Sequence, residues 1–242
     1  MEERGNYLIE PVNEIGSGGY GIVEEINLYN TDHDLCGRYA RKFLIPDTSD
    51  PDLYDRFKRE VVCQCKCVHK SIVQIFICNL GVPKPWFVME LAQSNLDDEI
   101  KNGTLTDREK INILKMVLDG LSFIHNKGYL HRDIKPMNIL KFSSGEYKLS
   151  DFGLAKSLNP TRTQFATKIG VFLGSPKYFD YEVMVNGYSK QSDIYSVGVL
   201  MEDLYVDGLD DIISKCKHRQ LNKRYLNIEQ IINAVNELEA KL

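Results

Sequence analysis

The spacing of apolar residues changes partway along the chain, and that change limits the fold more than any other feature. Tyr7 to Ile15, Ile22 to Leu28, Tyr39 to Leu44, Ile72 to Leu80 and Trp86 to Leu91 are short runs of β-type residues. Asp50, Pro51 and Asp52 form a helix start signal inside this series, ahead of an Arg/Lys/Glu segment that reaches about Val68. From about Leu105 onward Ile111, Leu114, Val117, Leu118, Leu121 and Ile124 recur at spacings of three and four, which predicts one long buried helix. Strands around a single helix, followed by mostly helix, imply an α+β chain in two lobes with a boundary near Glu90 to Asn95.

With 242 residues, 43% of them hydrophobic and 26% charged, the chain can bury a substantial core as one unit of two lobes. The net charge of −4 supplies no general basic field, which argues against a duplex nucleic-acid partner. No apolar run approaches the ~20 residues of a membrane span, and the opening Met1 to Asn6 is too polar for a secretory signal. A cytoplasmic location is expected, with neither nucleic acid nor membrane as partner. Cys63, Cys65 and Cys67 suggest metal or disulfide chemistry, but on a helix Cys65 points away from the other two. Reduced helical thiols are the expected state.

The chemistry-bearing residues begin with Gly16, Gly18, Gly21 and Val23 in IGSGGYGIV, between two strands. Positions without side chains let a turn fold over a polyphosphate, although glycine hairpins are also common without that role. Lys42 shares a strand face with Ala40, and an inward ammonium needs an anionic partner, for which Glu60 on the predicted helix is the candidate. A solvated lysine and a solvated carboxylate are the alternatives. The most specified run is His131, Arg132, Asp133, Ile134, Lys135, Pro136, Met137 and Asn138, with Asp151, Phe152 and Gly153 downstream.

On these motifs the chain resembles the eukaryotic-type protein kinases from about Tyr7 to Val235. The resemblance implies a bilobal fold, with an antiparallel sheet and one helix in an N-lobe of about 1–91, a hinge at about 90–95, and a mainly helical C-lobe of about 96–242. It implies transfer of the γ-phosphoryl group of ATP, with Mg²⁺ or alternatively Mn²⁺, to a protein substrate. Asp133 would take or orient the hydroxyl proton and Lys135 would hold the γ-phosphate. Asn138 and Asp151 would hold the metal, and Lys42, positioned by Glu60, would grip the α- and β-phosphates. Ile15, Gly16, Ser17, Gly18 and Gly21 would cover the nucleotide. Val23, Ala40 and Leu140 would sandwich the base, and backbone groups of Glu90 and Ala92, after Met89 as gatekeeper, would bond its edge. His131 is read as a buried structural residue near Phe152, and His69 as a turn residue.

Lys135 and the Gly174–Ser175 pair resemble the Ser/Thr branch, with Ser175 expected to bond Asp133 and Lys135; dual specificity stays open. Arg132, Lys156 and Arg56 are expected to form a cluster that receives a phosphorylated Thr161, Thr163 or Thr167, through autophosphorylation between two copies of the chain. The chain also departs from the family pattern. Asp180, Tyr181, Glu182 stands where Ala-Pro-Glu is usual, with Glu182 expected to pair with Arg224. Gln64 replaces an apolar residue and Tyr195 a tryptophan. Only Leu204 to Ile212 separates two C-lobe helices, so a helix that the resemblance implies for docking is expected to be missing or reduced. The rivals are a non-catalytic binding module of the same fold and a small-molecule phosphotransferase.

Overall fold

A computed structural model describes residues 1–18, 21–45, 52–158 and 175–240. Asp50, Pro51, Gly174, Thr161, Thr163 and Thr167 lie outside these residues.

Six strands form one antiparallel sheet in the order β1-β2-β3-β4-β6-β5: β1 Glu2–Arg4, β2 Tyr7–Gly18, β3 Gly21–Asn30, β4 Leu35–Leu44, β5 Ile75–Asn79 and β6 Trp86–Met89. The alternation of side chains gives this sheet two apolar faces. One packs Ala40, Leu44, Val73 and Phe87 against Leu53, Phe57 and Val61 of α1, Leu53–Lys66. The other gathers Ile9, Ile26, Leu28, Trp86 and Val88. Arg41 projects there with 3% of its side chain exposed, paired with Glu24 at 2.5 Å and Glu2 at 2.6 Å. Its guanidinium also lies over the rings of Phe43 and Trp86, at 4.5 Å and 5.4 Å. Arg4 donates to the Cys78 carbonyl at 3.3 Å, so the first strand touches the far edge of a sheet that curls back on itself.

The remaining elements are β7 Ser94–Asn95, α2 Leu96–Asn102, α3 Asp107–Asn126, β8 Tyr129–Leu130, β9 Ile139–Lys141, β10 Tyr147–Leu149 and β11 Lys156–Ser157. They are followed by α4 Val183–Asn186, α5 Lys190–Leu204, α6 Asp210–Cys216 and α7 Ile228–Glu239. The long periodic segment is α3, started by a reciprocal Thr106–Glu109 capping box. Its Leu114, Leu118, Leu121 and Ile124 are fully buried in a core shared with α5 and α7. The α+β reading therefore holds, with element ends shifted by a few residues. The short link after α5 holds no helix before α6.

All six cysteines are free. Burial pushes the Cys63 and Cys67 thiols up to about 11 and Cys216 up to about 12. Groups raised on folding stabilise below their unfolded value near 9 and lose that contribution as pH rises through the folded one. Unfolding free energy should therefore fall by about 3 kcal/mol between about pH 8 and about pH 10. Cys216→Ala should flatten the fall, and urea midpoints across this window that do not move would refute the assignment.

Candidate active site

Two strands and a helix place the basic half of the site. Lys42 on β4 sits opposite Val23 of β3 and Phe87 of β6, so its side chain leaves the sheet toward α1. There its Nζ donates to both Glu60 oxygens, at 2.7 Å and 2.9 Å, and stands 3.9 Å from Asp151 Oδ1. Burial alone lowers Lys42, but the Asp151 and Glu60 carboxylates outweigh it and hold the amine above its ordinary value. Burial pushes Glu60 up to about 7, against the pull of Lys42. For Asp151 burial acts upward, yet Lys42 and the Gly153 N–H hold it below the usual carboxylate range.

The acidic half hangs on a residue that the sequence motifs above leave out. Asp193, in the first turn of α5, is fully buried, and its carboxylate accepts from His131 N at 2.9 Å, Arg132 N at 2.8 Å and His125 Nε2 at 2.8 Å. Those bonds hold Arg132 at φ 69°, and Asp151 similarly stands at φ 61°; such values in residues other than glycine need support from their surroundings. The sequence signal was available: an acid next to the mostly apolar run IYSVGVL has to find donors if the helix is buried.

His131 is fully buried, as expected. Its Nδ1 accepts from Asp133 N at 3.3 Å, its Nε2 meets the Ser150 carbonyl at 3.1 Å, and its ring lies 4.9 Å from that of Phe152. Burial lowers its pKa, so it serves here as a neutral spacer. His69 packs its ring 4.7 Å from Phe123 after α1. Asp133 Oδ2 accepts from Lys135 Nζ at 2.8 Å and Asn138 Nδ2 at 2.9 Å, while its buried Oδ1 accepts no hydrogen bond from the described residues. Ser175 Oγ meets Lys135 Nζ at 3.1 Å. The expected Ser175–Asp133 bond is not formed, because Lys135 stands between them. Asp133, Lys135, Asp151, Glu60 and Ser175 line one cleft of about 150 Å³.

Val23, Ala40, Met89, Ala92 and Leu140 meet in one apolar cluster at the mouth of this sheet. Ile15 is 44% exposed. A Cβ on Gly16 would meet nothing within 4 Å, whereas one on Gly21 would strike the Phe43 carbonyl oxygen at 2.2 Å. Gly21 is therefore required for strand contact as well as for any ligand.

One expected pair is corrected. Arg224 bonds Asp180, at 2.6 Å and 3.4 Å, together with the Gln191 and His218 carbonyls, and lies over the Tyr195 ring at 5.4 Å. Glu182 instead sits at the N-cap of α4 and faces Asn186. Without proline at Tyr181 the chain buries the shorter Asp180 and leaves Tyr181 67% exposed. Gln64 is buried and donates to the Val73 carbonyl at 2.8 Å, which gives the polar residue a partner between α1 and β5. The Arg59 charge on α1 reaches Arg132, and Lys156 also feels Arg132. Arg56 lines the cleft.

A family model described as the protein kinase domain matches residues 9–239. The chain belongs to the protein kinase domain family. The kinase domain is 34% identical over 199 residues to the probable serine/threonine-protein kinase PknB of Corynebacterium glutamicum, covering 78% of this chain and 30% of that protein. It is 33% identical over 206 residues to the serine/threonine-protein kinase PknL of Mycobacterium tuberculosis, covering 82% and 48%. The probable serine/threonine-protein kinase fhkB of Dictyostelium discoideum is 32% identical over 200 residues, 78% of this chain and 17% of its own. The kinase domain thus spans 17% to 48% of these relatives. Among the described residues no helix is long and apolar enough to cross a membrane.

Proposed function

We propose that this chain, a single kinase domain over 1–242, uses ATP with Mg²⁺, or alternatively Mn²⁺, to phosphorylate Ser or Thr hydroxyls on protein substrates. The observation that carries the reading is the meeting of Lys42, Glu60 and Asp151 within 4 Å contacts at one cleft that Asp133 and Lys135 also line. The donor set fits. Among the described residues no three His, Cys, Asp or Glu side chains gather into a metal cage, and a magnesium that keeps waters and phosphate oxygens needs only one or two protein donors. Asp151 offers carboxylate oxygens, and Asn138 offers Oδ1 because its Nδ2 is committed to Asp133.

Bound Mg-ATP supplies the electrophilic phosphorus and a cation that neutralises its oxygens. Glu60 keeps the Lys42 ammonium fixed for phosphate oxygens. Asp133 accepts the acceptor hydroxyl's proton at Oδ1, the atom without a partner among the described residues, while Lys135 and Asn138 fix the carboxylate through Oδ2. Ser175 holds Lys135 on the acceptor side, consistent with the Ser/Thr branch. The base would lie among Val23, Ala40 and Leu140, and Ala92 N–H, which donates to no acceptor among the described residues, is open to it. Arg132, Lys156 and Arg56, with the Arg59 charge also near Arg132, would receive phosphate placed on Thr161, Thr163 or Thr167 by a second copy of the chain. Six free cysteines accord with a reducing, cytoplasmic compartment.

The test is incubation with labelled Mg-ATP and a generic basic acceptor protein, followed by phosphoamino-acid analysis. Label on phosphoserine or phosphothreonine is expected from the wild type alone. Equal label from Asp133→Asn, or label only on phosphotyrosine, defeats the reading. Intact mass of bacterially expressed protein should show added phosphate that grows with protein concentration.

A further inference from the structure

The segment that would face the base is tied down at its first residue by contacts from both lobes. Glu90 N donates to the Gln74 carbonyl at 3.2 Å, and Gln74 N returns a bond to Glu90 Oε2 at 2.8 Å. The other carboxylate oxygen, Oε1, accepts from Lys148 Nζ at 2.5 Å. Gln74 precedes β5 in the N-lobe sheet, whereas Lys148 belongs to β10, which pairs with β9 beyond the hinge. One carboxylate therefore bonds both lobes while its backbone begins the segment Glu90–Ala92.

The Lys148 side chain is 12% exposed and that of Glu90 23%, so water competes weakly for the contact. The ammonium also stands 4.8 Å from the centre of the Phe142 ring, which limits its freedom further. Three residues on, Gln93 N bonds the Lys141 carbonyl at 2.8 Å on β9, the strand that carries Leu140. Between these two anchors Leu91 and Ala92 donate no backbone hydrogen bond to the described residues and are held by packing against the apolar cluster.

We propose that Lys148 is a positioning residue: by holding the Glu90 carboxylate it fixes the backbone groups of Glu90 and Ala92 that bind the base edge, and so sets affinity for adenine nucleotides. This rests on the ATP-binding reading above. Lys148 touches neither the base nor the reacting atoms; it acts by limiting how far the segment turns when the lobes move. Preorganisation of this kind raises affinity by lowering the ordering cost of binding.

Adenosine, which lacks phosphates and reports on the base pocket alone, is the probe. Lys148→Met keeps the stem over Phe142 and removes the charge; it should raise the adenosine Kd and the ATP KM together by about fivefold, equivalent to about 1 kcal/mol, with kcat changed less than twofold. Glu90→Gln, which breaks the pair from the other side, should give the same rise, and Lys148→Arg should restore values within about twofold of wild type. A lower melting temperature with unchanged adenosine affinity and KM would show a merely structural pair and overturn the inference. So would a Lys148→Arg variant as weak as Lys148→Met. Wild-type protein that binds no adenosine or ATP fails the nucleotide reading itself, a result distinct from wild-type binding that Lys148→Met leaves intact.

Discussion

Asp133→Asn is expected to lower kcat by about a thousandfold, while ATP affinity stays within about threefold of wild type. The amide has the shape of the carboxylate and can still accept from Lys135 and Asn138, the two donors now at Oδ2. It cannot take a proton at Oδ1, where the wild-type carboxylate has a buried lone pair with no partner among the described residues. A thousandfold loss is about 4 kcal/mol of barrier, within the range that a positioned base supplies. Steady-state rates give kcat, and nucleotide titration gives affinity separately. A loss below about tenfold would mean that the hydroxyl proton leaves by another route.

The second large effect is on stability. Asp180→Ala should cost about 3–5 kcal/mol, because it leaves the Arg224 guanidinium buried without its anion. Arg224 has none of its side chain exposed and Asp180 only 4%, so neither ion can relax into water. For a domain of this size the melting temperature should drop by roughly 10 °C. Glu182→Ala, at the position that family resemblance singles out, should cost less than about 1 kcal/mol, since among the described residues its side chain accepts only a 3.5 Å bond from Asn186 at the surface. Thermal melts of both variants decide between the pairings. If the Glu182 variant melts lower than the Asp180 variant, the buried pair described here is wrong.

That pair also marks where sequence reading stopped. Motifs made of contiguous residues, such as His131 to Asn138 and Asp151 to Gly153, carry their own spacing, and Lys42 with Glu60 followed from the need of an inward cation for an anion. Helix periodicity located α3 because nearly every third or fourth residue is apolar. The choice of Asp180 over Glu182 depends on how the chain turns before α4, and two acids two positions apart look alike without coordinates. Ser175 was assigned two partners when geometry leaves it with Lys135. Asp193 carried a visible signal, a lone acid at the start of a mostly apolar run, whose role as an anchor for backbone donors shows only in the fold. Lys148 gave no signal, since a lysine in a short strand is ordinary until a carboxylate from a distant segment is found against it.

The first strand adds something that resemblance alone would discard. The family match begins at residue 9, yet Glu2 supplies one of the two carboxylates on the buried Arg41, and Arg4 reaches across to Cys78. A protein trimmed to the matched segment would uncover that guanidinium between Phe43 and Trp86 and lose the strand that covers the outer side of β2. The glycine hairpin proposed to cover the nucleotide grows from that same β2, so the few residues outside the shared domain bear on how firmly that strand is held.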